Sequence, residues 1–142
     1  MLLNDFFNLY FVKNKKEVSN YNWENKTFLV VEDEISNYKL IQAVLKKTKV
    51  KIIWVSDGKK AIEECENNNK IDLVIMDIKM PIMDGYEATK KIKSINKDLP
   101  IIAQTAYAMA EDRENSLNAG CDDYVSKPIN IQEFLEKINN FI

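Results

Sequence analysis

The chain of 142 residues contains no histidine. That absence excludes a Ser-His-Asp triad, histidine ligation of a metal, and a phosphohistidine carried by this chain. Cysteine is scarce: Cys65 and Cys121 stand far apart and outside any C-x-x-C pattern. Neither a zinc site nor a disulfide framework is indicated, and two buried thiols in a reducing compartment are expected. No apolar run approaches the ~20 residues of a membrane-spanning helix. The apolar stretch 1–11 is broken by Asn4, Asp5 and Asn8, and its lysines (Lys13, Lys15, Lys16) follow it, the reverse of a signal peptide. A cytoplasmic protein with no membrane insertion is therefore expected. An excess of positive charge is missing too, since 20 Lys and Arg against 22 Asp and Glu leave a formal charge of −2. Direct binding to nucleic acid, which leans on such an excess, is not expected. Any chemistry must run on carboxylates, hydroxyls and lysines.

What is present is the composition of one packed domain, 46% apolar and 30% charged. From Thr27 onward, short β-branched runs alternate with helical patterns, which predicts β-α units and a parallel sheet. The expected strands are 27–31, 51–55, 72–76, 100–104 and 123–126. The third is apolar from Leu73 to Met76, as suits a central strand covered on both faces. Between strands, Tyr38, Ile41, Val44, Leu45 and Thr48 make one helical face, and Ala88, Ile92 and Ile95 another. Asp84 with Glu87, and Asn130 with Glu133 ahead of Ile131, Phe134, Leu135 and Ile138, read as N-caps with capping-box partners. Gly120 sits where a helix needs a left-handed stop. The predicted fold is α/β: a doubly wound, flavodoxin-like five-stranded parallel sheet of order 2-1-3-4-5 with helices on both faces. In such a sheet the ligand site lies at the carboxyl ends of the strands.

Polar residues collect at those ends. The first strand runs into Glu32, Asp33 and Glu34, the third into Asp77, the fourth into Thr105 and the fifth into Lys127 and Pro128. Carboxylates gathered on one rim repel one another unless a cation sits among them, and hard oxygen ligands beside a phosphate suit Mg²⁺, or Mn²⁺ in its place. An aspartate so neutralised can attack a phosphoryl group and form an aspartyl phosphate. Lys127 offers a positive charge and Thr105 a hydroxyl donor to the phosphoryl oxygens. Each residue alone has a plainer reading; an acidic residue after a strand usually caps the next helix. The argument rests on their joint occurrence, each at its own strand end.

The strings Val30 to Glu34, Val74 to Gly85 (VIMDIKMPIMDG), Thr105-Ala106 and Asp123 to Pro128 (DYVSKP) resemble the response regulator receiver family, over about residues 26–142. The resemblance implies that Asp77 accepts a phosphoryl group from a partner phosphohistidine, on a sensor histidine kinase or a histidine phosphotransfer protein. It implies Asp33 as a direct Mg²⁺ ligand beside Asp77, Glu32 acting through water, and Lys79 giving its backbone carbonyl. Thr105 and Tyr124 would form the switch and Lys127 the phosphate-pairing lysine, with Pro128 after it in a cis bond. The chain would be a signalling domain that assists its own phosphorylation and dephosphorylation, and not an enzyme in the ordinary sense. Glu32 departs from the Asp often found first in the acidic pair. Lys79 and Tyr107 stand where family side chains overhang the phosphoryl site.

Other readings share the fold. A flavin binder needs a phosphate-cradling loop rich in glycine and hydroxyls after the first strand, where Glu32, Asp33 and Glu34 would repel phosphate. A receiver-like interaction module that is never phosphorylated should lack part of the acidic pair, the Asp or the Lys. A receiver piece of a hybrid sensor histidine kinase is a further alternative, because 22–26 (NWENK) is similar to the junctions that precede receivers there. With no output domain following Ile142, the domain is expected to signal through its own surface or to pass the phosphoryl group on. Residues 1–26 are expected to be an extension or linker preceding the receiver at 27–142. If helical, Leu2, Leu3, Phe6, Phe7 and Tyr10 share one apolar face, which would pack on the receiver or on a second copy in a homodimer; the other alternative is a plain tail.

Overall fold

The computed structural model describes residues 20–106 and 110–142. The apolar stripe from Leu2 to Tyr10, and Tyr107, lie outside the described residues. Five parallel strands, β1 (Thr27–Val31), β2 (Lys51–Val55), β3 (Leu73–Asp77), β4 (Ile101–Thr105) and β5 (Asp123–Ser126), form one sheet in the order β2-β1-β3-β4-β5. The helices are α1 (Ile35–Leu45), α2 (Gly58–Asn67), α3 (Gly85–Ile95), α4 (Ala110–Ala119) and α5 (Ile131–Asn139), with a 3-10 turn at Lys46–Thr48.

Strand alternation splits the core into two layers. Phe28 and Val30 of β1 and Ile75 of β3 face a cluster with Ile41 and Leu45 of α1 and Phe134 and Ile138 of α5. Leu29, Val31, Val74 and Met76 face the other way, among Ala61 of α2 and Ala88 and Ile92 of α3. Every residue of β3 and β4 is buried. The edge strand β2 is only half-buried.

Two strands run one residue later than expected. Pro100 has no N–H to give to a ladder, and Asp72 turns its carboxylate back to accept from the Thr27 N–H at 2.8 Å, so neither opens its strand. The far ends extend instead: the Ile78 N–H donates to the Gln104 carbonyl at 3.1 Å and the Lys127 N–H to the Thr105 carbonyl at 2.8 Å. Asp77 and Thr105 are thus the last residues of their strands and not the first of their loops.

The expected caps are present. Asp84 accepts from the Glu87 N–H at 2.9 Å and Asn130 from the Glu133 N–H at 3.0 Å. Gly120 has φ +106°, in the region that favours glycine. Asp57 caps α2 in the same way, accepting from the Lys60 N–H at 2.8 Å. Burial along α3 follows Gly85, Ala88, Thr89 and Ile92; Ile95, expected on that face, lies in the terminal turn and is 43% exposed. Of the two thiols Cys121 is buried and Cys65 half-buried, and burial pushes both up to about 11, so neither is a nucleophile at neutral pH.

Candidate functional site at the carboxyl ends of the strands

The acidic residues after β1 do not cap α1. Glu34 occupies the N-cap position and makes no side-chain capping bond. Glu32 is instead fully buried, its N–H donating to the Val55 carbonyl at 3.1 Å and its Oε1 accepting from the Glu34 N–H at 3.2 Å. That leaves Oε2 aimed across the strand ends. Asp77, one strand over, is 2% exposed, and Asp33 is exposed. One carboxylate oxygen from each of Glu32, Asp33 and Asp77 lies within 4.8 Å of the others.

Lys127 answers this charge from the other side. Its Nζ stands 3.1 Å from Asp77 Oδ1 and 3.5 Å from Glu32 Oε2. The second contact gives Coulomb attraction but no hydrogen bond, so Glu32 Oε2 is a buried oxygen without a hydrogen-bond partner. The electrostatics follow. Burial pushes the Glu32 carboxyl up to about 7, Asp77 adding repulsion and Lys127 offsetting part of it. Burial also raises Asp77, against the pull of Lys127. Burial alone would lower Lys127, but Asp77 and Glu32 outweigh it and hold the ammonium above its usual value. Lys127 thus faces a cluster of three carboxylates. The orphaned oxygen and the all-carboxylate donor set fit a hard divalent ion that keeps open positions for water and phosphate.

The remaining expected residues lie around this cluster. Thr105 is buried, and Asp77 pairs in register with its chain neighbour Gln104. Tyr124 pairs with Ala103, two residues before Thr105, so alternation puts Tyr124 and Thr105 on one sheet face. Lys137 of α5 donates to the Tyr124 carbonyl at 2.6 Å, and its Nζ lies 4.7 Å from the ring centroid. Lys79 is exposed two positions beyond Asp77, and the Lys127–Pro128 bond is cis.

Two contributors went unnoticed in the sequence. Gly85 opens α3 with its N–H donating to the Ile78 carbonyl at 2.9 Å, and a Cβ on it would stand 2.8 Å from Ile78 Cα. Only glycine lets the helix start sit on the backbone beside Asp77; its place after the Asp84 cap was the available signal. Trp54 is the other: its indole N–H donates to the Glu32 carbonyl at 2.9 Å, a contact spanning 22 positions that no local pattern announces.

A family model described as the response regulator receiver domain matches residues 28–139. The chain belongs to the response regulator receiver family. As a receiver domain it is a signalling module of two-component and phosphorelay systems. It is 34% identical over 119 residues to the polar-differentiation response regulator DivK of Brucella anthropi, covering 82% of this chain and 96% of that protein. It is 42% identical over 134 residues to hybrid signal transduction histidine kinase I of Dictyostelium discoideum, covering 89% of this chain but only 8% of the kinase. Among solved structures, the receiver domain of a Pseudomonas aeruginosa sensor histidine kinase, crystallised with magnesium coordinated in its active-site cleft, is 35% identical with a TM-score of 0.76. That match covers 82% of this receiver and 97% of the other. A Saccharomyces cerevisiae response regulator receiver, crystallised with its histidine phosphotransfer protein, is 27% identical with a TM-score of 0.77, covering 82% and 88% of the two chains. No helix among the described residues is long and apolar enough to cross a membrane.

Proposed function

We propose that this receiver takes a phosphoryl group from a phosphohistidine onto Asp77, with Mg²⁺, or Mn²⁺ in its place, as the required ion. The observation that carries the reading is the convergence of Asp77, Glu32 and Asp33 within 4.8 Å, with Lys127 Nζ 3.1 Å from Asp77. A carboxylate oxygen of Asp77 attacks phosphorus, the P–N bond breaks, and its electron pair stays on the imidazole nitrogen, which is then free to take a proton. Asp33, Asp77 and the Lys79 carbonyl would hold the ion directly and Glu32 through water; when bound, it supplies positive charge to the phosphoryl oxygens. Lys127 pairs with one of those oxygens, and the Thr105 hydroxyl donates to another. The same groups serve the loss of the phosphoryl group, in which a water oxygen attacks phosphorus, the bond to the Asp77 oxygen breaks, and the carboxylate and inorganic phosphate are released.

The donor is a sensor histidine kinase or a histidine phosphotransfer protein; the yeast receiver crystallised with such a transfer protein supports this choice. Residues 27–142 are the receiver, 1–26 an extension or linker, and the domain acts in the cytoplasm. Thr105 moves toward the bound phosphoryl group and Tyr124 turns into the space it leaves, altering the surface of α4, β5 and α5. A second reading, that the chain is the receiver of a hybrid kinase, draws support from the 42% identity to such a kinase. Incubation with acetyl phosphate and Mg²⁺ should add one phosphoryl mass to the wild type and none to Asp77→Asn. Stable labelling of that variant would refute the assignment.

A further inference from the structure

Trp54 lies on the edge strand β2 and is 38% exposed, yet it is held on two sides. Its ring lies flat on Tyr38 of α1, with centroids 4.2 Å apart and planes 4° from parallel. Its indole N–H donates to the carbonyl of Glu32 at 2.9 Å, while the Glu32 N–H donates to the Val55 carbonyl at 3.1 Å. Both peptide units flanking Glu32 are therefore tied to β2, one through the backbone and one through the indole.

The second tie bears on the acidic cluster. The Glu32 carbonyl belongs to the same rigid plane as the nitrogen and Cα of Asp33. Asp33 itself is exposed, in a bend between β1 and α1 and beyond the last residue of the ladder. The orientation of the plane it hangs from then governs where its carboxylate stands. Tyr38 covers one face of the indole, which hinders Trp54 from swinging out and exchanging the carbonyl for water.

We infer that Trp54 is a positioning residue for metal binding: through the Glu32 carbonyl its indole N–H sets the Glu32–Asp33 peptide plane and thereby places the Asp33 carboxylate opposite Asp77. The inference rests on the proposed Mg²⁺ role of that cluster. Groups that orient a metal ligand tune the affinity for the metal. One part-buried hydrogen bond between neutral groups is a modest restraint, so the effect is a graded one.

The test is a calorimetric Mg²⁺ titration of the full chain, wild type against Trp54→Phe, which keeps a ring on Tyr38 and removes the donor. Benzothienylalanine at position 54 keeps the two-ring shape without the N–H and should behave alike. The Mg²⁺ dissociation constant should rise roughly three- to tenfold in both. With acetyl phosphate, the Mg²⁺ concentration for half-maximal phosphorylation should rise by the same factor while the rate at saturating Mg²⁺ stays near wild type. Tyr38→Phe, which keeps the stack and the donor, should leave the constant unchanged. Unchanged Mg²⁺ affinity in the position-54 variants, or a rate lowered equally at all Mg²⁺ concentrations, would overturn the inference alone. A wild type that binds no Mg²⁺ would overturn it together with the reading beneath it.

Discussion

Lys127 places its Nζ 3.1 Å from Asp77 Oδ1, and its own N–H is bonded to the carbonyl of Thr105. The Lys127 backbone is thus anchored to β4, which carries the hydroxyl, while its ammonium pairs with the carboxylate on the adjacent strand β3. Removing one partner of a buried pair costs more than the pair contributes, because the other charge stays behind. Lys127→Met should therefore lower stability to urea at pH 7.5 by roughly 1–3 kcal/mol, with the deficit shrinking toward pH 5 as the carboxyls take up protons. A deficit independent of pH would mean that the lysine acts through packing alone.

The raised Glu32 carboxyl gives a second expectation. Its value of about 7 in the fold exceeds the ordinary 4.5, so between those limits the folded chain binds more protons than the unfolded one. Stability without metal should then be fully present below about pH 4.5 in this respect and decline as pH rises toward 7. Under the proposed Mg²⁺ role, the ion binds the ionised cluster and should raise the melting temperature more at pH 7.5 than at pH 5. Thermal scans at the two pH values, with and without Mg²⁺, check both signs.

Thr105 and Tyr124 share a sheet face, one buried at the strand end and the other under Lys137. Thr105→Ala should still accept a phosphoryl group from acetyl phosphate. It should lose most of the phosphorylation-dependent change in partner affinity, a coupling of about 1–3 kcal/mol. Affinity for the histidine phosphotransfer partner, measured before and after phosphorylation, decides the matter.

Two backbone positions in the stretch that follows Asp77 along the chain carry opposite predictions. Gly85→Ala forces a Cβ onto the Ile78 backbone and should cost roughly 1–3 kcal/mol. Ile82 is fully exposed at φ +71°, an unfavourable conformation for a β-branched residue, so Ile82→Gly should stabilise by about 1 kcal/mol. Denaturant midpoints of the two variants should move in opposite directions.

Much of the fold was legible because burial leaves a period. Phe28 and Val30 against Leu29 and Val31 announce a covered strand, and Asp84 and Asn130 announce helix starts. The ends of β3 and β4 were misjudged by one residue because Asp77 and Thr105 are polar and resemble loop residues, although each completes a buried strand. Glu32, Asp33, Asp77 and Lys127 were readable as a group since each breaks or follows an apolar run at the same end of a parallel sheet. Trp54 was not, because the indole that holds Glu32 belongs to an edge strand where any half-exposed residue fits the pattern. Tertiary hydrogen bonds of that kind have no periodicity to betray them.

Asp77 closes a fully buried strand, whereas Asp33 sits in an exposed bend. The two carboxylates consequently take their positions from different parts of the fold. Asp77 is set by the sheet, and Asp33 by the peptide plane that the Trp54 indole holds. Under the proposed Mg²⁺ role, substitutions in the segment between β1 and α1 should therefore change the affinity for the ion while leaving Asp77 in place.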